Sequence, residues 1–190
     1  MWLSVGRQDR PKGHRFLIEA FATIARECEG HHLVLVGQGP ATEELVAQAC
    51  NLQVVDRVHF LPSVPKVGPY FRLADAFVFP SLTEGLPVAL LEAMCAGLPC
   101  VASDIPAHTE IITSGQNGLI VPHGSADSLT KVMLLVATDD ELRRVVSLRA
   151  EAESQKRFAA NSIIPKWEAA YRKAALPGTA GEFVDHLTRP

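Results

Sequence analysis

The chain has 190 residues and a mass of 20.6 kDa, with 47% hydrophobic and 21% charged residues, a formal charge of −3 and a mean hydropathy of +0.12. That length suits one domain with a sizeable core, and the composition excludes wholesale disorder and coiled coil. The balance of 18 basic against 21 acidic residues points to no nucleic-acid partner.

Targeting signals are weak as well. The longest near-apolar stretch, Val88 to Ala102, is interrupted by Glu92 and is shorter than the roughly 20 residues of a membrane-spanning helix. The opening residues lack the basic start and long apolar core of a signal peptide. Met1 leads straight into a strand, which reads as a domain cut from a longer chain. Four cysteines, Cys28, Cys50, Cys95 and Cys100, form no CxxC pair and sit in apolar or helical surroundings. They are expected to be buried free thiols, with neither a disulfide framework nor a zinc site.

Short apolar runs alternate with longer amphipathic stretches along the chain. The strands are expected at Trp2–Val5, Leu33–Val36, Val58–Leu61, Ala76–Phe79, Cys100–Ser103 and Gly118–Val121. Several are apolar at consecutive positions, the pattern of strands covered on both faces. Helices are expected at His14–Cys28, Ala41–Cys50, Lys66–Leu73, Pro87–Ala96, Ala107–Thr113 and Ala126–Ala137. A solvent-facing helix follows over Asp139–Lys156, then one from Pro165 to Lys173 with Trp167 and Tyr171 on one stripe. Leu176 to Pro190 reads as a loose tail. This rhythm predicts an α/β fold with a parallel sheet of about six strands flanked by helices.

In a doubly wound sheet, ligands sit beyond the carboxyl ends of the strands where strand order reverses. An order of 3-2-1-4-5-6 makes strands 1 and 4 neighbours at that crevice. The loops that follow them are residues 6–13 and 80–87. The first offers Arg7 and Lys12 at the mouth of a helix, an arrangement that suits a diphosphate or that leaves both as solvated loop charges. The second offers Ser81 and Thr83 as candidate helix caps, Glu84 as a hydrogen-bond acceptor for hydroxyls, and Gly85 for close backbone approach. Glu92 sits on an apolar helical face whose neighbours are Val88, Ala89, Cys95 and Ala96. With no cation at helical spacing, it either faces water at a notch or awaits a polar ligand.

These residues carry a resemblance. Gly6-Arg7, Lys12-Gly13, Val36-Gly37-Gln38-Gly39-Pro40, Pro80-Ser81, Glu84-x7-Glu92 with Ala93-Met94 and Gly97-Leu98-Pro99, Glu110 and Asn117-Gly118 stand in order. Together they resemble the C-terminal, donor-binding half of family-4 retaining glycosyltransferases of the GT-B fold. The resemblance implies a Rossmann-like domain over residues 1–175, a tail over 176–190, and an acceptor domain absent from the N-terminal side. It implies transfer of a sugar from a nucleoside-diphosphate sugar, UDP- or GDP-linked, to a glycan or lipid-linked acceptor in glycan or surface-polysaccharide synthesis. It also implies retained anomeric configuration, no metal or other cofactor, and a cytoplasmic enzyme, peripheral at the inner membrane face when whole.

Roles follow by the same resemblance. Arg7 and Lys12 would grip the diphosphate as leaving group, Glu84 would contact the donor sugar, and Glu92 would bind the nucleotide ribose. Gly6, Ser81, Gly85, Leu86, Val88 and Val64 would complete the donor site, with Glu84, Arg7 and Lys12 as its catalytic set. The chain departs from the family at Pro106-Ala107-His108-Thr109, where two glycines often precede the residue matched by Glu110, and at Pro62 and Pro87. His14, His108 and His123 read as loop or surface residues. The other readings are an epimerase of the same architecture, a non-catalytic nucleotide-binding module, and a dinucleotide oxidoreductase. The last is disfavoured because no GxGxxG follows the first strand.

Overall fold

The computed structural model describes residues 1–175; the tail expected over Leu176–Pro190 lies outside the described residues. The chain forms two compact units, Met1–Glu153 and one that starts at Ser154. The first contains a six-stranded parallel sheet: β1 (Trp2–Val5), β2 (Leu33–Val36), β3 (Val58–Leu61), β4 (Ala76–Phe79), β5 (Cys100–Ser103) and β6 (Leu119–Val121). Their order is β3-β2-β1-β4-β5-β6, so β1 and β4 meet at the centre, where the order reverses.

Helices α1 (His14–Glu27), α2 (Thr42–Asn51), α3 (Gly68–Leu73), α4 (Val88–Cys95), α5 (Pro106–Thr109), α6 (Ala126–Thr138), α7 (Asp140–Phe158) and α8 (Ala160–Ala175) complete the described chain. Side chains alternate across the sheet. Trp2, Leu33, Leu35, Val78 and Val101 join the buried core made with α1, α2 and α6. Phe77 points the other way, edge-on to Phe71 of α3 at 5.7 Å. Leu90 and Met94 of α4 are buried too, and burial of each such side chain contributes roughly 1.5–3 kcal/mol. Strands β2, β4 and β5 are buried at every position, as their largely apolar sequences require, whereas His59 is exposed on the edge strand β3.

The loops beyond β1, β2 and β4 are stitched together. The Gln8 amide N–H donates to the Gln38 carbonyl (3.2 Å), the Ala41 N–H to the Gln8 carbonyl (3.0 Å), and the Leu82 N–H to the Pro11 carbonyl (2.7 Å). Two glycines make these approaches possible. A Cβ on Gly13 (φ +67°) would lie 2.1 Å from the Pro80 carbonyl oxygen, and one on Gly37 (φ +133°) would lie 2.1 Å from that of Gly6. Main-chain hydrogen bonds therefore hold the chemistry-bearing loops close, and the Gln8 side-chain amide adds a bond to the Gly37 carbonyl (2.7 Å).

Four expectations need correction. The helix expected over Ala107–Thr113 is the single turn α5. The helix expected from Pro165 begins at Ala160 and carries Pro165 inside it. The fixed φ of proline is compatible with a helix there, at the cost of the hydrogen bond to the Asn161 carbonyl. The helix expected to face solvent is α7, yet its Val146 and Ala150, at i and i+4, are fully buried. Of the four thiols only Cys100 is buried; Cys28 is half-buried, and Cys50 and Cys95 are exposed on the outer faces of α2 and α4.

Candidate functional site

A compact polar cluster sits at the carboxyl ends of β1 and β4. Lys12, carried by the loop after β1, places Nζ 2.6 Å from Glu84 Oε1. The Ser81 hydroxyl donates to the same oxygen at 2.7 Å. The Glu84 side chain is only 8% exposed and that of Lys12 24%. A carboxylate this enclosed needs the cation and the hydroxyl to offset its lost hydration. Phe79, the last residue of β4, forms the floor, with its ring centre 5.5 Å from the Lys12 ammonium.

A second layer supports the first. The Ser103 hydroxyl, at the end of β5, donates to the Ser81 carbonyl. His108 in α5 lies with Nδ1 2.9 Å from the Ser103 carbonyl and 3.3 Å from its hydroxyl. A carbonyl only accepts, so Nδ1 carries the proton. The ring is fully buried and packs 5.3 Å from Phe79. Burial lowers its pKa and the Lys12 charge adds to this, against the opposing influence of the Ser103 carbonyl and Glu84. His14, the first residue of α1, is likewise buried, and burial pushes its pKa down to about 4, with Asp9 raising it and Lys12 lowering it.

The structure brings Lys12, Ser81 and Glu84 into contact, with the Gly6 main chain against the Lys12 stem. Arg7 stands outside that cluster. Its side chain is 69% exposed, its Nε is 3.7 Å from Asp9, and it lines an adjoining cleft of about 370 Å³ with Gly6, Gly37, Ser63 and Val64. Gly85, Leu86 and Val88 are exposed on the segment that enters α4, and Glu92 is exposed one turn further on. The Glu92 side chain faces solvent, where it is open to a ligand.

Two of the three histidines expected at the surface are not there. His14 and His108 are buried, because each begins or fills a helical turn packed onto the strand ends, while His123 is exposed and pairs with Asp104 at 2.7 Å. Ser81 and Thr83 do not cap α4: Pro87 occupies the N-cap position, with no side-chain cap among the described residues, and the Ser81 hydroxyl is committed to Glu84. Phe79 and Ser103 carry no loop signal in the sequence, and His108, which reads there as a loop or surface residue, lies beneath the site. The available signal was position: Phe79 and Ser103 end adjacent strands beside the point where the sheet order reverses.

Chemically, the cluster can hold an anion on the Lys12 ammonium, which has three N–H donors of which Glu84 uses one. Glu84 has a second carboxylate oxygen that can accept from hydroxyl groups. An anionic, hydroxyl-rich ligand therefore suits the crevice.

Comparison with known proteins places the chain in a family and a fold. Residues 1–153 match the family described as Glycosyl transferases group 1. A phosphatidyl-myo-inositol mannosyltransferase of Mycobacterium leprae is 32% identical over 182 residues, which cover 93% of this chain and 47% of that protein. The chain spans about half the length of the curated relatives it matches. Among solved structures, the C-terminal domain of a group 1 family glycosyl transferase (LpcC) from Francisella tularensis superposes with a TM-score of 0.78 at 20% identity, covering 84% of this chain and 86% of that one. Anabaena HepE, solved in complex with UDP and glucose, superposes with a TM-score of 0.82 at 23% identity, covering 92% of this chain and 48% of that one. Both share the six-stranded α/β architecture.

Proposed function

The chain belongs to the group 1 glycosyl transferases, and on that premise we propose that it binds the nucleotide-sugar donor of a retaining transferase of the family-4 type. The observation that carries this reading is the Lys12–Glu84 pair in its crevice between β1 and β4. In our reading Lys12 takes the donor diphosphate through its two remaining N–H donors, and Arg7, exposed on a long stem, swings in from the neighbouring cleft. The two cations stabilise the diphosphate as it leaves, so the reading needs no metal ion. Glu84 accepts from the hydroxyls of the transferred sugar, Ser81 fixes its carboxylate, and Gly85, Leu86 and Val88 border the sugar and diphosphate. Glu92 takes the ribose, and Gly6 and Val64 line the cleft for the nucleoside. The acceptor, a glycan or a lipid-linked sugar, is held by the part of the relatives' length that this chain does not span.

Calorimetric titration of the chain with UDP, GDP, uridine and guanosine tests the reading. One of the diphosphates is expected to bind at least about tenfold more tightly than its nucleoside, since each charge-assisted hydrogen bond contributes roughly 1.5–3 kcal/mol. The preference should shrink as salt is raised and survive EDTA. Equal affinity for nucleoside and diphosphate would contradict the roles of Lys12 and Arg7.

Glu84→Gln separates the sugar from the diphosphate. The amide keeps the shape and an acceptor for Ser81 but loses the charge that sugar hydroxyls bond to. Affinity for the sugar nucleotide should fall roughly 10- to 100-fold, while that for the bare diphosphate holds or improves as Lys12 is released. A loss of the same size for both ligands would remove Glu84 from the sugar site.

A further inference from the structure

His108 has no role in the reading above, yet it is a fully buried titratable side chain beside the cluster, and its Nε2 has no hydrogen-bond partner among the described residues. A ring kept only for its volume would be better apolar, because a buried polar atom without a partner costs stability. The useful atom is Nδ1. It donates to the Ser103 carbonyl at 2.9 Å, and the Ser103 hydroxyl in turn donates to the Ser81 carbonyl. Ser81 then hands its own hydroxyl to Glu84 at 2.7 Å, opposite Lys12 at 2.6 Å. Three of the four links cross from one element to the next (α5 to the end of β5, β5 to the loop after β4, and that loop to the loop after β1), and the Ser81–Glu84 bond braces the loop within itself.

We propose that His108 is a positioning residue for the donor sugar: through Ser103 it fixes the turn at residues 81–84 so that the Glu84 carboxylate faces the sugar hydroxyls. The inference rests on the reading of Glu84 as the sugar contact. The neutral ring protonated on Nδ1 is the form that serves. Phe79 beneath the ring and the fully buried setting hold that orientation. The diphosphate site depends on the main chain of the loop after β1 and on Lys12, so the sugar should feel a loss of His108 more than the diphosphate does.

The test compares His108→Phe, which keeps a ring without a donor, with His108→Asn, whose side-chain N–H lies close to the position of Nδ1. Titrations pair UDP-glucose with UDP and GDP-mannose with GDP. His108→Phe is expected to lose about tenfold in affinity for whichever sugar nucleotide binds the unaltered chain, the scale of one hydrogen bond. Its affinity for the matching diphosphate should change less than about twofold, and His108→Asn should recover the sugar nucleotide to within about threefold of the unaltered chain. Ser103→Ala should show the same split between sugar nucleotide and diphosphate, and it decides the matter if His108→Phe does not fold. Crystal structures of these variants without ligand supply a readout independent of any donor. Glu84 should leave Lys12 or Ser81 in His108→Phe and in Ser103→Ala, and keep both in His108→Asn. Equal losses for diphosphate and sugar nucleotide, no benefit of Asn over Phe, or Glu84 unmoved in the variant crystals would overturn the assignment. If the unaltered chain binds none of these sugar nucleotides, the donor reading fails, and the crystals still decide the role of His108.

Discussion

Lys12→Met is expected to lower folding stability by about 3 kcal/mol and to cut the preference for a nucleoside diphosphate over its nucleoside by about tenfold or more, leaving only what Arg7 supplies. Removing one partner of a buried ion pair leaves the other uncompensated, at a typical cost of about 3–5 kcal/mol. The lower end applies because Lys12 keeps part of its surface in water, with 24% of its side chain exposed. The stranded group is Glu84, 8% exposed and left with the Ser81 hydroxyl alone. Adding Glu84→Gln to Lys12→Met should restore most of the stability but none of the diphosphate preference, since the neutral amide no longer needs a cation. Urea unfolding of the two single variants and the double variant measures the first effect and calorimetry the second. Additive stability losses in the double variant would show that the pair is not the coupled, buried unit described above.

The second large effect depends on pH. His14 is held near pKa 4 in the folded chain, against an ordinary value of 6.5, chiefly because burial disfavours its charged form. In the unfolded chain it binds its proton near pH 6.5, so between that value and 4 the unfolded state holds more protons. Stability therefore rises with pH across this window, and it is lost as the pH falls from 6.5 towards 4. At about 1.4 kcal/mol per unit, the loss attributable to His14 is about 3 kcal/mol by pH 4. Carboxylates also destabilise the fold in acid, so the informative quantity is the difference between the unaltered chain and His14→Leu, which has no proton to take up. That difference should shift by about 3 kcal/mol in favour of the variant between pH 7 and pH 4 in urea unfolding. Parallel stability curves for the two proteins would mean that His14 is not held neutral.

Much of this arrangement was legible in the sequence. The strands are short and several are apolar at consecutive positions, the pattern of a sheet covered on both faces, and loops rich in Gly and Pro mark handovers from strand to helix. The order 3-2-1-4-5-6 is a premise rather than a consequence of that pattern; the structure has it, and with it the crevice between β1 and β4. Lys12 and Glu84 stood out because a charged residue in a loop at a switch point has few structural duties. Their direct contact did not stand out, since it depends on how closely two loops separated by 72 positions approach, and Gly13 with Pro80 decides that.

Ser103 and His108 were hidden for a different reason. At the end of a buried strand a serine looks like any small residue, and a histidine in a Pro-initiated turn looks like a surface loop. Only the pairing of β5 with β4, Phe79 against Ala102, brings them under the site. The buried stripe of α7 is masked by the charges around it: Arg143, Arg144, Arg149 and Glu151 crowd the segment, while Leu142, Val146 and Ala150 carry the apolar face.

The claim that a donor diphosphate sits between β1 and β4 is tested most directly by following the backbone amide resonances of the chain as UDP and GDP are added. The largest shifts should fall at Gly6, at Lys12 and across residues 81–85, with smaller ones at Ser63 and Val64 in the adjoining cleft. A second cleft of about 310 Å³ lies at the opposite ends of the same strands, lined by Trp2, His31, Asp75 and Arg143. Shifts confined to that cleft, or none at Lys12 and Glu84 with either diphosphate, would contradict the account.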